Sequence, residues 1–242
     1  MNRNDLYKEY VATIFAEFHD IANLDREYRR HRHAFRRNLM RYLPPDRNAY
    51  IVDIGCGLGH FVRFTQELGY RNAHGIDLSE ENVRLCRERG LEVQCVEARQ
   101  FLTGRSGAYD FILLLDVVEH IPKEEIVPLL AAVRAALRPG GRAVVRTDNM
   151  SNPFLASDSR YADITHEVGF TEVSLKQVLR LAGFQSIQVH PYDIYVLYGN
   201  PLNYPAKALS SCLNLALRLL CLLYGRKTAR LFSKHIFAVA EK

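Results

Sequence analysis

The segment from Tyr50 to His60 constrains the fold of this 242-residue chain more than any other stretch of its sequence. It begins with Tyr-Ile-Val-Asp-Ile, a composition typical of a buried β-strand. Three glycines then stand at alternate positions, Gly55, Gly57 and Gly59. Glycine permits a tight turn against which a ligand can lie closely. The segment therefore predicts a strand, a ligand-binding turn and the start of a helix.

The spacing of the glycines distinguishes between kinds of ligand site. A dinucleotide site needs a third glycine three positions after the second, where this chain has His60. A Walker-type phosphate loop needs Gly-Lys-Ser/Thr, which does not follow. An acidic residue followed by Gly-x-Gly-x-Gly instead resembles motif I of the class I S-adenosylmethionine-dependent methyltransferases. The resemblance implies that Asp53 lies near the cofactor's amino group, and that the turn containing Cys56 passes beneath its methionine and ribose portions.

Two further segments continue the same resemblance. A short strand ending at Asp77-Leu78 places a carboxylate beside the glycine turn, where it can accept hydrogen bonds from both ribose hydroxyls. Ser79 then serves as a helix N-cap. In the third strand, the family pattern places Glu97 and Ala98 near the adenine, although the family more often has Asp at the first of these positions.

From residue 50 onward, strand and helix patterns alternate. Strands are predicted at 50–54, 72–76, 92–96, 109–115, 141–147, 185–190 and 234–240, and helices near 59–68, 79–89, 123–137 and 171–182. This order indicates an α/β, Rossmann-like sheet with helices on both faces. The resemblance implies seven mostly parallel strands with an antiparallel edge hairpin. We predict a basic helical region at 1–44 and a methyltransferase domain at 45–242, with a helical insertion near 198–230.

Acidic and histidine residues follow the fourth and fifth strands, at the sheet edge where open α/β folds bind ligands. By the resemblance, Asp116 and Val117 belong to the cofactor shell, and His120 is either a base or a structural residue. The later loop carries a Tyr-x-Asp-x-Thr-His-Glu pattern at 161–167, which resembles a subgroup associated with surface-polysaccharide and glycan biosynthesis.

Within this loop, His166 is the leading candidate for a general base, oriented by Asp163 or Glu167. A sugar hydroxyl is a poor nucleophile until a neighbouring base takes its proton. His166 could instead pin the loop through backbone hydrogen bonds. In a third interpretation, Asp163, His166 and Glu167 are metal ligands. No clear second set of carboxylates accompanies them, so we predict no metal.

Charge and apolar patterning bear on partners. Seven arginines lie between positions 26 and 41 on a helix whose apolar residues recur at helical spacing, and the formal net charge is +5. This basic face could attract a phosphate-bearing acceptor or an anionic membrane, or could simply be solvated. Nucleic acid is a less favoured partner of this basic face, because the sequence lacks aromatic interleaving and a recognised RNA-binding module. Residues 206–224 are rich in leucine but interrupted by Arg218, so a transmembrane segment is not predicted. Packing on the domain, an oligomer contact and shallow membrane binding remain alternatives.

Taken together, these patterns predict an enzyme that uses S-adenosylmethionine to methylate a hydroxyl of a sugar or glycan intermediate. One alternative is a methyltransferase for a quinone, phenol or carboxylate, and another is a non-catalytic cofactor-binding module in glycan assembly. Five cysteines without a Cys-x-x-Cys pair, and a charged start to the chain, predict a cytoplasmic protein, with peripheral attachment to the inner face of the membrane as an alternative.

Overall fold

The computed structural model describes residues 23–192, 201–226 and 230–242, so residues 1–22 of the basic helical region predicted at 1–44 lie outside these ranges. Seven strands and eight α-helices are found in the described part of the chain. The strands are β1 (Tyr50–Ile54), β2 (Asn72–Asp77), β3 (Val93–Cys95), β4 (Tyr109–Leu115), β5 (Leu137–Asp148), β6 (Ser186–Tyr192) and β7 (His235–Glu241). The helices are α1 (Leu24–Asn38), α2 (His60–Glu67), α3 (Glu80–Arg87), α4 (Ala98–Leu102), α5 (Lys123–Ala136), α6 (Ala156–Tyr161), α7 (Glu172–Leu181) and α8 (Asn203–Leu223).

The strands form one sheet in the order β3-β2-β1-β4-β5-β7-β6. Strands β1 to β5 pair in parallel, whereas β7 pairs antiparallel with both β5 and β6. The predicted seven-stranded, mostly parallel sheet with an antiparallel edge hairpin is therefore confirmed. Because the parallel strands end at the same edge, Asp53 and Asp77 lie near each other at neighbouring strand ends.

Helices cover both faces of the sheet. On one face, Phe35 of α1 and Phe61 of α2 pack edge to face at 5.4 Å and join Ile51 and Phe111 in one apolar cluster. On the other face, α5 and α7 pack against the opposite side chains of the same strands, such as Val52. Since α1 shares a core with the sheet, the described part of the predicted N-terminal region is integral to the domain.

Strand β5 differs from its prediction at its beginning. The sequence predicts that residues 137–141 form a turn between helix and strand, but β5 already begins at Leu137, which pairs with Tyr109. Pairing resumes only at Arg142 opposite Phe111, so the intervening residues form a bulge. Gly140 accommodates that bulge with a φ of +75°. The turn predicted at 137–141 is therefore present, but as a bulge inside β5.

Helix α8 lies between β6 and β7, in the predicted insertion, and it contains no buried residue. Packing on the domain was one of the alternatives expected for this leucine-rich segment, and the structure buries none of its side chains there. By length and composition, α8 is long and apolar enough to cross a membrane, and it is the one such helix among the described residues.

Candidate active site

The C-terminal edge of the sheet gathers most of the predicted site residues, and it has two parts. The glycine side follows β1, β2 and β3 and contains the residues from Asp53 to Ala98. The acceptor side is built from the ends of β4 to β7 and the loop at 149–171. Each part has its own kind of chemistry.

On the glycine side, the backbone shapes the turn. All three glycines have positive φ, and the N–H groups of Gly55 and Cys56 both donate to the Ile76 carbonyl at 2.8 and 2.9 Å. A Cβ on Gly55 would lie 2.6 Å from Val117, so this contact joins the turn to the segment after β4. A Cβ on Gly59 would lie 2.6 Å from Leu91. The turn therefore requires glycine for both conformation and space.

Two carboxylates lie beside this turn. Asp77 accepts hydrogen bonds from the N–H groups of Gly57 at 2.8 Å and Ser79 at 2.9 Å. Asp53 is buried, and its Oδ1 finds no hydrogen-bond partner within the described ranges. Burial, and then the nearby Asp77, raise the pKa of Asp53. A cationic group at this position would offset that destabilisation, so the residues fit the ammonium and sulfonium charges of S-adenosylmethionine.

The outer end of the glycine side is more open. Glu97 is exposed, and its carboxylate caps α4 by accepting from the Gln100 N–H at 2.8 Å. Ala98 is the first residue of that helix, and the exposed Leu78 lies at the end of neighbouring β2. Strands β2 and β3 place these three residues at the same edge, where the family pattern expects the adenine.

A charged pair spans the start of the acceptor side. Arg146 of β5 donates to both carboxylate oxygens of Asp116, one of them at an Nε–Oδ1 distance of 2.9 Å. Its guanidinium also lies 4.7 Å from the centre of the Tyr192 ring. Burial tends to raise the pKa of Asp116, but the charge of Arg146 prevails and lowers it to about 2. Asp116 is also the one non-glycine residue of positive φ in the described ranges, at +54°.

His120 belongs to a hydrogen-bonded chain with the later loop. Thr165 Oγ1 lies 2.6 Å from Asp163 Oδ1 and 2.8 Å from His120 Nδ1. The Thr165 hydroxyl has a single proton, which it donates to the Asp163 carboxylate. The same hydroxyl must therefore accept a hydrogen bond from His120 Nδ1–H. Burial, followed by the charge of His166, lowers the pKa of His120 to about 4. His120 is therefore neutral near pH 7.

His166 is held by a different partner from the one predicted. Its Nδ1 lies 2.7 Å from the Ser159 carbonyl oxygen, which can only accept, so Nδ1 carries a proton and Nε2 of the neutral ring has a lone pair. The Asp163 side chain instead bonds Thr165, and Glu167 is exposed. The structure thus places the Ser159 carbonyl, rather than Asp163 or Glu167, at Nδ1 of this ring.

The two histidines face each other, with ring centres 4.6 Å apart. Ligand atoms of His120, His166 and the buried Glu119 all lie within 4.8 Å of one another, so these three side chains could hold a metal ion. Burial, and then the charge of Asp116, raise the pKa of Glu119 well above its ordinary value. The cluster shares His166 with the set of metal ligands considered from the sequence, but it does not include Asp163 or Glu167.

Several residues at this edge were missed by the sequence analysis. From α1, Glu27 lies 3.8 Å from Nε2 of His60, and His31 stacks on the same ring at 4.8 Å. From β7, His235 lies 3.1 Å from Asp148. Of the missed residues, Arg146 gives the clearest signal, because it interrupts the apolar run Ala143-Val-Val, but a charge at the end of a strand does not reveal its partner.

Comparison with known proteins agrees with this geometry. A family model described as "Methyltransferase domain" matches residues 26–189, more than half of the chain. A ubiquinone biosynthesis O-methyltransferase of Bordetella avium is 30% identical over 105 residues, which make up 41% of this chain and 42% of that protein. The chain thus matches less than half the length of this curated relative.

Solved structures share the fold. A S-adenosylmethionine-dependent methyltransferase from Archaeoglobus fulgidus superposes with a TM-score of 0.64 at 20% identity, covering 93% of this chain and all of that one (100%). A phosphoethanolamine N-methyltransferase 2 of Haemonchus contortus, in complex with S-adenosylhomocysteine, gives 0.62 at 15% identity and covers 98% of this chain and 60% of that one. The chain belongs to the class I S-adenosylmethionine-dependent methyltransferases, and S-adenosylmethionine is its cofactor.

Proposed function

We propose that this methyltransferase transfers the methyl group to a hydroxyl oxygen, with His166 as the general base. The observation that carries the proposal is the hydrogen bond from His166 Nδ1 to the Ser159 carbonyl, which leaves Nε2 able to take a proton. Bound S-adenosylmethionine supplies an electrophilic methyl group on a sulfonium sulfur. The protein must then align the acceptor oxygen, exclude water and remove one proton.

The residues around His166 suit that task. His120 lies beside it and is neutral, because burial lowers its pKa to about 4. The N–H groups of Glu167 and Val168 donate to the Glu119 carbonyl at 2.7 and 3.1 Å, which fixes the loop against the segment after β4. On the glycine side, Asp53, Asp77 and the glycine turn would hold the cofactor.

A phenolic hydroxyl is the acceptor that we favour. The Bordetella relative is named as an O-methyltransferase of ubiquinone biosynthesis, a non-sugar pathway. Moreover, the Thr165 hydroxyl bonds both Asp163 and His120, so the polar side chains of Asp163 and Thr165 are already engaged. Among the large apolar side chains of this loop, Tyr161 and Ile164 are the most exposed, which favours an apolar or aromatic acceptor.

A sugar or glycan hydroxyl is the second candidate, and it is supported by the loop pattern at 161–167. Incubation with isotopically labelled S-adenosylmethionine and a panel of catechols, nucleotide sugars, carboxylates and amines separates these acceptors by the product formed. Label in a catechol ether supports the first candidate, and label in a sugar ether supports the second. Label only in a carboxylate or an amine contradicts transfer to a hydroxyl. Cofactor binding without any product points to a non-catalytic module.

Replacing His166 with Asn tests the base directly. The Asn amide can still donate to the Ser159 carbonyl, so the loop keeps its anchor while the proton acceptor is lost. If His166 is the base, kcat falls about 10²- to 10⁴-fold, and calorimetry shows unchanged affinity for S-adenosylhomocysteine.

Retained turnover in His166→Asn would show that the residue only pins the loop. As a matched control, His33→Asn replaces a histidine of α1 that lies outside the acceptor side, and it should leave kcat unchanged.

A further inference from the structure

Helix α8 has its polar and apolar residues on opposite sides. Lys207, Ser211, Asn214 and Arg218 recur at spacings of three and four residues, so they form a single stripe that also contains Ser210. The remaining arc carries seven exposed leucines, at 209, 213, 215, 219, 220, 222 and 223. Such a helix has a wide apolar face and a narrow polar one.

The polar stripe faces the protein. The four half-buried residues of α8 are Asn203, Asn214, Leu217 and Cys221, and they all lie on or next to this stripe. Arg218 also donates from Nε to the Arg230 carbonyl at 2.7 Å. The apolar arc therefore points away from the domain, the reverse of a helix that packs on a core. An exposed apolar surface of this kind marks an interaction site.

The charges around α8 identify the occupant. Between residues 203 and 234 there are six basic residues and no Asp or Glu; the six are Lys207, Arg218, Arg226, Lys227, Arg230 and Lys234. A second copy would bring two such basic segments together, whereas anionic lipid headgroups would attract them. We infer that α8 binds the surface of an anionic membrane, with its leucine arc at the boundary with the acyl chains.

The topology indicates that α8 lies in the membrane plane. The last residue of β6, Tyr192, pairs with the first residue of β7, His235, so the chain leaves and re-enters the sheet at one place. A spanning α8 would carry one end across about 30 Å of hydrocarbon. Residues 224–234 would then have to return through lipid, and α8 is the one candidate span in the described ranges. An in-plane helix needs no return, and Arg218 stays on the protein side.

This orientation brings the candidate active site close to the lipid. Arg218 of α8 donates to the Arg230 carbonyl, and the next two carbonyls, of Leu231 and Phe232, accept from the side chains of Asn149 and Asn152, each at 2.8 Å. These asparagines begin the loop that carries His166. The membrane contact therefore adjoins the acceptor side of the edge.

Vesicle flotation of the full chain tests the inference. The wild-type protein should float with vesicles of phosphatidylcholine mixed with phosphatidylglycerol and should float weakly with phosphatidylcholine alone. Changing Leu209, Leu220 and Leu223 to Gln should weaken partitioning about tenfold per leucine, because each loses a buried apolar side chain. Changing Arg226 and Arg230 to Gln should weaken it about fivefold per charge on the anionic vesicles.

The matched control changes Ser210 and Ser211, on the polar stripe of the same helix, to Gln, and its partitioning should equal that of the wild type. If the wild-type protein floats with neither kind of vesicle, the inference is overturned. A dimer detected by sedimentation velocity without vesicles would also overturn it, if the leucine substitutions abolish that dimer. In that case a second copy of the chain would cover the leucine arc.

Discussion

The glycine side and the acceptor side occupy the same edge of one sheet but are built in different ways. On the glycine side, backbone groups of the turn make the contacts, as when the Gly57 N–H donates to the Asp77 carboxylate at 2.8 Å. On the acceptor side, side chains from distant segments meet, as in the pairing of Asp116 with Arg146. The first arrangement rests on the backbone conformation of the glycine turn, whereas the second rests on charged side chains that two strands bring together.

If the acceptor side depends on long-range charge pairing, Asp116→Asn should be costly. Asn tolerates the left-handed backbone at this position, so the variant mainly removes the charge. The Arg146 side chain, only 8% exposed, would then lack its carboxylate. Because the Asp116 side chain is 38% exposed and partly screened by solvent, the free energy of unfolding should fall by about 2–3 kcal/mol in urea titrations. Because the pKa of Asp116 is lowered, this contribution is present above its ordinary pKa and is lost as the pH falls toward about 2.

Strand β5 supplies the control for that variant. Arg142 pairs with Glu241 at 2.7 Å, but both side chains are more than 40% exposed. Glu241→Gln should therefore cost less than about 1 kcal/mol. Equal losses in the two variants would mean that the Asp116–Arg146 pair contributes no more than a surface pair.

On the glycine side, we expect substitution to affect binding more than stability. Asp77→Asn keeps an acceptor for the Gly57 N–H but loses the charge that strengthens hydrogen bonds to ribose hydroxyls. The Kd for S-adenosylhomocysteine should rise about 10- to 100-fold by calorimetry. Glu80→Gln, at the exposed start of α3, should leave it unchanged. An unaltered Kd in Asp77→Asn would remove this residue from the cofactor site.

A smaller effect is expected from the pH dependence of the acceptor side. Burial lowers the pKa of His235 to about 3 and raises the pKa of Asp148, so the neutral ring is favoured in the folded protein. Unfolding lets His235 take up a proton below its ordinary pKa of 6.5. The stability of the wild type should therefore fall as the pH drops from about 6.5 toward 3.

The variant His235→Gln lacks this titration. Between pH 7 and pH 5, the free energy of unfolding of the wild type should fall by about 1–2 kcal/mol more than that of the variant, measured by urea unfolding at each pH. A relative gain for the wild type over the same interval would instead indicate that His235 and Asp148 form an ion pair at their 3.1 Å separation.

The sequence predicted the glycine side closely, because its signals are local. Strand β1 has the bounds expected from residues 50–54, and Asp77 ends β2 beside the turn as the spacing requires. By contrast, nothing near Arg146 indicates Asp116 or Tyr192 as partners. The Ser159 carbonyl that orients His166 is a backbone group in the short helix α6, for which no periodic signal was seen. Long-range pairing and irregular backbone therefore account for most of what was missed.

The position of β7 has a consequence for synthesis on the ribosome. It follows every other strand in the chain, yet it lies between β5 and β6 in the sheet. Until residues 235–241 emerge, β5 has an open edge and β6 has no neighbour, while α8, which precedes these residues in the chain, emerges first. The nascent chain thus exposes its most apolar helix before its sheet can close, a stage at which chaperones or a membrane surface would protect it from aggregation.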